Sequence, residues 1–468
     1  MRRLILLEIN EVTWDLIDPW IAGGKLPHFS RLKREGLWGT PVSVDLPPQL
    51  DPWVTWTTVY SGRPQAEHQV YFLQQPPSTI HAKRIWEVLA ERGVAVGVYG
   101  SLCSWPPKPV KGFYVPDTFA PDPSTFPPEL EAIQRLNLTY TRSVRVASEQ
   151  DTVEFKLRLG TRLLRLGLSL TTIGAIVGQL AGERLKGSRQ WRRVGLQPRV
   201  NFDFFARLYR RYRPTFATFH TNHVAHYMHT YWHAMEPEKF APLEISHENR
   251  AAYGGAIEFG YRIADELLGR MMALMDAETI LVVASSMGQK PYIAEVEGGR
   301  VIAQVRSHQY LLKLLGIENE VRAVSTMSDE FNVYVDSEER RPQIRKMLET
   351  AYLDDPRQPL FHVGGVDSAI RVNLRIYRRI QLTESSRIVF PDAPGEPMVN
   401  HSDLIYSTGH SKSGCHDPRG ILLVYGAGIP AGEIAGDYNN LDIAPTLYHL
   451  LEQPAPDGLT GCVIRELA

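Results

Sequence analysis

The sequence predicts a large α/β protein, a doubly wound and mainly parallel sheet sandwiched by helices, with an inserted helical segment and a small α+β cap. Short apolar runs alternate with stretches of helical length along most of the chain. Glycines follow the helical stretches where a helix should stop, at Gly36, Gly62 and Gly93. A chain of 468 residues is also long for one simple core, so insertions or a second unit are expected.

Taken in chain order, Leu4 to Leu7 reads as the first buried strand. Its apolar run is cut at Glu8, too early for the hydrophobic stretch of a secretion signal. Phe29 to Glu35, Trp53 to Tyr60 and Ile85 to Arg92 read as helices, and Val94 to Tyr99 as the next strand. Phe216 to Phe219 and Thr279 to Ala284 are strands on either side of a long helix predicted over Ala251 to Met275. Ile421 to Tyr425 is the last strand, and Asp442 opens the last helix as its N-cap. Two segments break this rhythm. From about Ser104 to Val200 the chain is first proline-rich and then basic and apolar, as an insertion over a site would be. From about Ser325 to Val399 it reads strand, helix, strand, as a small cap. The resulting boundaries are core 1–103, insertion 104–200, core 201–324, cap 325–399 and core 400–468.

The net charge of −1 gives no general pull towards nucleic acid, and no nucleic-acid partner is expected. Three scattered cysteines, Cys103, Cys415 and Cys462, have neither zinc-knuckle nor disulfide spacing, which favours a reducing, cytoplasmic compartment. Leu166 to Leu180 carries no charge but is shorter than the ~20 residues of a membrane span. Arg162 and Arg165 precede it; Glu183, Arg184 and Lys186 follow. That pattern suits an amphipathic or buried helix, and its basic flanks suit peripheral membrane contact through residues 160–186. Nothing in the composition fixes the oligomeric state.

Three stretches carry the chemistry. Near the C-terminus the chain reads GCHDPRGILLVYGAGIP and then LDIAPTLYHLL: a loop histidine, an apolar strand closed by glycine, and an Asp-initiated helix. Near the N-terminus, Gly24-Lys25-Leu26-Pro27-His28-Phe29 is followed by Leu32 and Gly36, and Ser61-Gly62-Arg63-Pro64 by His68. In this order and at this spacing they resemble the alkaline phosphatase superfamily, in particular its type I phosphodiesterase/nucleotide pyrophosphatase branch. The resemblance implies the alkaline-phosphatase-like fold and hydrolysis or transfer at a phosphate or sulfate ester. It also implies that His416 binds a catalytic metal, and that two metals activate a Thr or Ser nucleophile.

The site departs from that pattern in several places. Where the family carries its first metal-binding aspartate, this chain has Glu8, still a carboxylate and still able to bind a cation. The nucleophile position, ten residues before Gly62, is Pro52; Asp51 beside it is the favoured functional group and Thr55 the runner-up. Either is equally suited to a helix N-cap or a helix-face hydroxyl. The family's Ser-Asp-His-Gly is Ser285-Ser286-Met287-Gly288 here, so a hydroxyl and a thioether replace two ligands, and Ser286 becomes a nucleophile, a phosphate-binding hydroxyl or a turn cap. The family's Asp-x-x-x-His-x-x-Trp has Ala225 in place of the aspartate, with His229 and Trp232 retained. Five of the fifteen histidines fall between His220 and His233. His226 and His229 share a helix face and, with His416, would form a three-histidine site with an open position. Asn222, His223, His410 and Lys412 complete the expected set on the substrate side.

The expectation is therefore a divergent phosphoester hydrolase or transferase using at most one metal, zinc or manganese. Its substrate would be a small-molecule, glycan or lipid-linked phosphoester. Two alternatives stand beside it: a non-hydrolytic module binding a glycan or lipid-linked phosphate, and a metal-independent enzyme built on Asp51 and the histidine cluster.

Overall fold

The computed structural model describes residues 2–143, 167–185, 187–240, 245–292, 301–326, 330–354, 357–366, 369–376 and 382–468. Its centre is an eight-stranded sheet. The strands are β1 (Arg3–Ile9), β2 (Leu37–Gly39), β3 (Val96–Tyr99), β4 (Gly112–Val115), β5 (Phe216–Thr221), β6 (Thr279–Ser285), β7 (Ile421–Tyr425) and β8 (Gly432–Glu433). They lie in the order β8-β2-β7-β6-β1-β5-β3-β4. Only β7 runs antiparallel to its neighbours β6 and β2; the other pairs are parallel. The fold is thus the mainly parallel α/β sandwich the sequence predicts.

Alternation along β1 explains the sandwich. Ile5, Leu7 and Ile9 enter one apolar layer and Leu4 and Leu6 the other, with both sets buried. The first layer is covered by α1 (Trp14–Ala22), α2 (Pro27–Glu35), α5 (Leu196–Tyr212), α6 (His223–Met235) and α7 (Ala256–Met272). The second is covered by α3 (Pro52–Ser61), the helix Ile85–Glu91 and α8 (Ile443–Leu450). One further helix, α4 (Leu170–Leu185), lies outside both layers against α5. Gly62 ends α3 as expected: its φ of 63° is left-handed, and its N–H donates to the Thr58 carbonyl at 2.8 Å.

Two local expectations need correcting, and one helix is additional to those expected. The helix predicted over Ala251 to Met275 is two helices, His247–Tyr253 and α7, broken at the Gly254-Gly255 pair. Helix α1 was not foreseen because Pro19 lies inside it. Asp442 precedes α8 without capping it through its side chain; its carboxylate instead accepts from the Asn439 and Cys462 N–H groups at 2.9 and 2.8 Å.

Residues 321–374 include a separate antiparallel sheet of Val321–Ser325, Glu330–Val335, Ala369–Leu374 and Phe361–Val366, with helix Arg341–Glu349 packed on it. Phe331, Val333, Ile344 and Leu348 give it a core of its own. Asn332 Nδ2 donates to the Leu73 carbonyl at 2.7 Å and Tyr334 OH to the Gln74 carbonyl at 2.6 Å, which ties it to the main unit. A cavity of about 650 Å³ separates the two, lined by Trp105, Asp117, Phe119, Arg322 and Tyr334 among others.

Candidate active site

In a parallel sheet the carboxyl ends of the strands gather the loops that do chemistry. Here β1 delivers Asn10 and Glu11 to that edge, β5 delivers Asn222, and β6 delivers Ser286 and Met287. Because β7 is antiparallel to β6, the segment before it reaches the same edge, with His416 on a short strand, Gly414–Asp417, paired with Gly288–Pro291. Glu11, His229 and His416 converge there, each offering one donor atom, and those atoms lie within 4.8 Å of one another. His229 Nε2 is 3.0 Å and His416 Nε2 3.6 Å from Glu11 Oε2. The two imidazole rings meet edge to face, with centroids 5.4 Å apart.

The surroundings fix the tautomers. His229 Nδ1 is 3.0 Å from the Gly414 carbonyl and His416 Nδ1 is 2.7 Å from the Leu50 carbonyl. A carbonyl only accepts, so each Nδ1 carries a proton and Nε2 is the ring nitrogen turned towards Glu11, able to offer its lone pair to a cation or, on His229 without one, to donate an N–H to the carboxylate. The Gly414 contact needs a residue without a side chain, since a Cβ there would meet Gln289 Oε1 at 2.3 Å and the Met228 carbonyl at 2.7 Å. Ser413 holds the same turn of α6: its N–H donates to the His229 carbonyl at 2.7 Å, and its hydroxyl accepts from the Trp232 N–H at 2.9 Å.

Glu11 sits at φ 64°, a left-handed conformation unusual for a residue with a side chain, and is almost fully buried. Asn10 Nδ2 donates to Oε1 at 2.9 Å, and Gln289 Nε2 donates to Oε2. Burial alone would raise its pKa. His229, His416 and the hydrogen bonds from His229 and Gln289 outweigh it and hold the carboxyl down to about 2. Burial lowers His416 to about 4 despite the nearby Glu11 carboxylate, so it is neutral at pH 7. An ionised carboxylate and a neutral imidazole are the states that bind a cation. One carboxylate and two imidazoles, with each Nδ1 tied to a carbonyl, fit zinc in donor type and in outer partners.

The other expected residues fall in several places. Glu8 lies within β1, fully buried, accepting from Tyr60 OH at 2.7 Å and Ser101 Oγ at 2.9 Å, with His220 Nδ1 at 3.1 Å. It is apart from the Glu11 group. His226 lies exposed on α6 and is likewise not in that group. His223 points into the core, where Thr221 Oγ1 and the Gly260 carbonyl flank its ring at 2.8 and 3.0 Å. Burial pushes it down to about 3, which keeps it neutral. Asn222 precedes α6; its Oδ1 accepts from Asn10 Nδ2 at 2.7 Å, and Trp56 Nε1 donates to Asn10 Oδ1 at 2.8 Å. The charge of Lys412 reaches His416. His410 falls on the strand Ile405–Ser411, and its side chain lies outside the described residues.

Asp51 caps α3, its Oδ1 accepting from the Trp53 N–H at 3.3 Å. Burial raises its carboxyl to about 6; Glu330 and Glu11 add to the rise, while Arg371 and the Trp53 N–H oppose it. Thr55, one turn on, shares a buried 2.8 Å hydrogen bond with Ser286. Ser286→Ala is expected to leave the Thr55 hydroxyl buried without that partner and to cost about 1–3 kcal/mol, read as a lower denaturation midpoint at unchanged metal content. Glu11, Asn10 and Gln289 were not anticipated. The signal that could have found Glu11 is the true end of β1 at Ile9, which puts Glu8 inside the ladder and Glu11 in the loop beyond it.

Residues 4–350 match the model of the type I phosphodiesterase/nucleotide pyrophosphatase family. No curated protein matches the sequence. Among solved structures, the chain is similar to an inactive form of murine ectonucleotide pyrophosphatase/phosphodiesterase 5 in complex with AMP. That likeness is 12% identical, covers 97% of this chain and 96% of the other, and has a TM-score of 0.43. It is also similar to phosphonoacetate hydrolase from Sinorhizobium meliloti in complex with phosphonoformate, at 14% identity over 96% of each chain and a TM-score of 0.40.

Proposed function

Since the chain belongs to the type I phosphodiesterase/nucleotide pyrophosphatase family, we propose that it is a phosphoester hydrolase or transferase that works with a single divalent cation held by Glu11, His229 and His416. The observation that carries this reading is the convergence of those three donors, with both Nδ1 atoms already spoken for by carbonyls. A bound zinc or manganese would act there as a Lewis acid towards a phosphoryl oxygen and lower the pKa of water. The protein supplies the rest. The Ser413-Gly414 backbone and the Leu50 carbonyl keep the two imidazoles aimed. With Asn222 Oδ1 taken by Asn10, the Asn222 amide N–H groups remain for a phosphoryl oxygen. Asp51, directly after the carbonyl that orients His416, is the group suited to take a proton or to attack phosphorus. Ser286 and Met287 are both fully buried, which fits a site reduced to one metal.

One observation favours a second reading. The 3.0 Å contact between His229 Nε2 and Glu11 satisfies both groups as a carboxylate–imidazole pair, as a metal-free enzyme or a binding module would need. Metal analysis with turnover separates the two. The purified protein is expected to carry about one equivalent of zinc or manganese. It should hydrolyse bis(p-nitrophenyl) phosphate, lose that activity to a chelator and regain it on adding the metal back. Turnover indifferent to chelator in metal-free protein would overturn the single-metal reading in favour of Asp51 acting alone. Stoichiometric ligand binding with no turnover would leave the binding module.

A further inference from the structure

Helix α4 carries apolar side chains on its outward side as well as against the protein. A surface helix normally turns its apolar stripe to the core. Here Leu170, Gly174, Val177, Ala181 and Leu185, spaced i, i+4, i+7, i+11 and i+15, form one outward stripe. Leu170, Val177 and Leu185 are 87%, 60% and 84% exposed. An added Cβ at Gly174 or Gly178 would meet nothing within 4 Å, so no described residue covers this face. Part of its polar set faces inward, while Thr171 and Arg184 are exposed. Thr172 is buried, and so is Glu183, the only carboxylate of the helix, which is clamped by Arg193 Nε at 2.8 Å and by Gln179 Nε2 at 2.9 Å. The outward face therefore presents no negative charge, while Arg184 and Arg189 stand exposed at its C-terminal end. Nearby acids on α5 and α7 are neutralised, Asp203 by Arg270 and Glu266 by Arg199.

We propose that α4 docks flat on a lipid bilayer bearing anionic headgroups, with its leucine and valine side chains in the interface and its arginines against the lipid phosphates. Sixteen residues span roughly 24 Å of helix, and no helix among the described residues is long and apolar enough to cross a membrane. An interfacial orientation needs only the outward stripe. The helix is firmly carried: it packs on Gly187–Gly195, where Trp191 meets Tyr227 of α6 edge to face at 5.9 Å and its carbonyl accepts from Tyr227 OH at 3.2 Å. The bilayer would thus lie behind the helix that holds His229. The surface is independent of the metal site. Arg162, Arg165 and Lys186, the remaining basic flanks, lie outside the described residues.

The test is co-sedimentation of the full chain with vesicles of phosphatidylcholine alone or with one-third phosphatidylglycerol, beside light scattering of the free protein. Binding to the anionic vesicles is expected to weaken with salt. It should fall at least about tenfold in a Val177→Glu/Leu185→Glu variant whose thermal melt is unchanged, since both side chains are exposed. Arg184→Glu should weaken anionic-vesicle binding selectively. No vesicle binding by the parent, or equal binding by the double variant, would overturn the proposal. A dimer that Val177→Glu/Leu185→Glu converts to monomer, without vesicle binding, would make the stripe a self-association surface instead.

Discussion

Glu11→Gln is expected to remove the bound cation and, with it, turnover of phosphodiesters, while the fold survives. The reasons lie in the geometry. Oε2 is the atom towards which His229 and His416 both turn Nε2, and an amide can supply at most one weak neutral donor in its place. The amide would also set an N–H₂ against Asn10 Nδ2 or Gln289 Nε2, both of which already donate to the carboxylate. Disturbing only the outer partners of a metal typically costs 10–100-fold, so removing a ligand should lower kcat/KM by more than about 10²-fold. His416→Ala and His229→Ala should do the same. His226→Ala, at an exposed position outside the group, should keep its metal and its rate. Elemental analysis beside steady-state kinetics checks all four. A Glu11→Gln protein that still binds one equivalent would remove Glu11 from the site. The left-handed backbone at Glu11 points the same way: a charged, buried residue kept in that conformation is better explained by function than by stability.

The sheet was legible in the sequence because its strands are buried on both faces and so read as unbroken apolar runs between helical stretches, as at Thr279–Ser285 and Ile421–Tyr425. His229 and His416 were legible from motif spacing. Their partner was not, because which carboxylate faces the site depends on where β1 ends. Two further residues of ladder, to Ile9, leave Glu8 on the α3 side, hydrogen-bonded to Tyr60 and Ser101, and send Glu11 over the edge. His226 shows the limit of helical periodicity. Positions i and i+3 share a face of α6, but the contacts of Ser413 and Gly414 select His229 alone. Helix α4 was legible as a charge-poor segment. Its outward apolar stripe was not, because only packing reveals that Thr172 and Glu183 take the inward side and leave Val177 and Leu185 exposed.

Asp51 should give the pH–rate profile its acidic limb. Its carboxyl is raised to about 6, first by burial and then by the charges of Glu330 and Glu11, against the opposing pull of Arg371 and the Trp53 N–H. If the carboxylate is the working form, kcat/KM rises with pH through about 6 and is level above it. Asp51→Asn should abolish that limb and lower the rate by about 10²–10⁴-fold. The stability effect has its own sign. A carboxyl that is raised in the folded protein binds its proton more tightly there than in the unfolded chain, where it titrates at about 3.9. Its favourable contribution is present below that value and is lost as pH rises to about 6. The Asn variant, which cannot ionise, should therefore gain on the parent in thermal midpoint between pH 4 and pH 7. Arg371 supplies a control from the cap, since it pairs with Glu330 at 2.6 Å and lowers Asp51. Arg371→Gln removes that positive charge and leaves Glu330 unneutralised, and both changes push the Asp51 limb to higher pH. An unmoved limb in Arg371→Gln, together with a surviving limb in Asp51→Asn, would assign the ionisation to another group and leave Asp51 as the N-cap of α3.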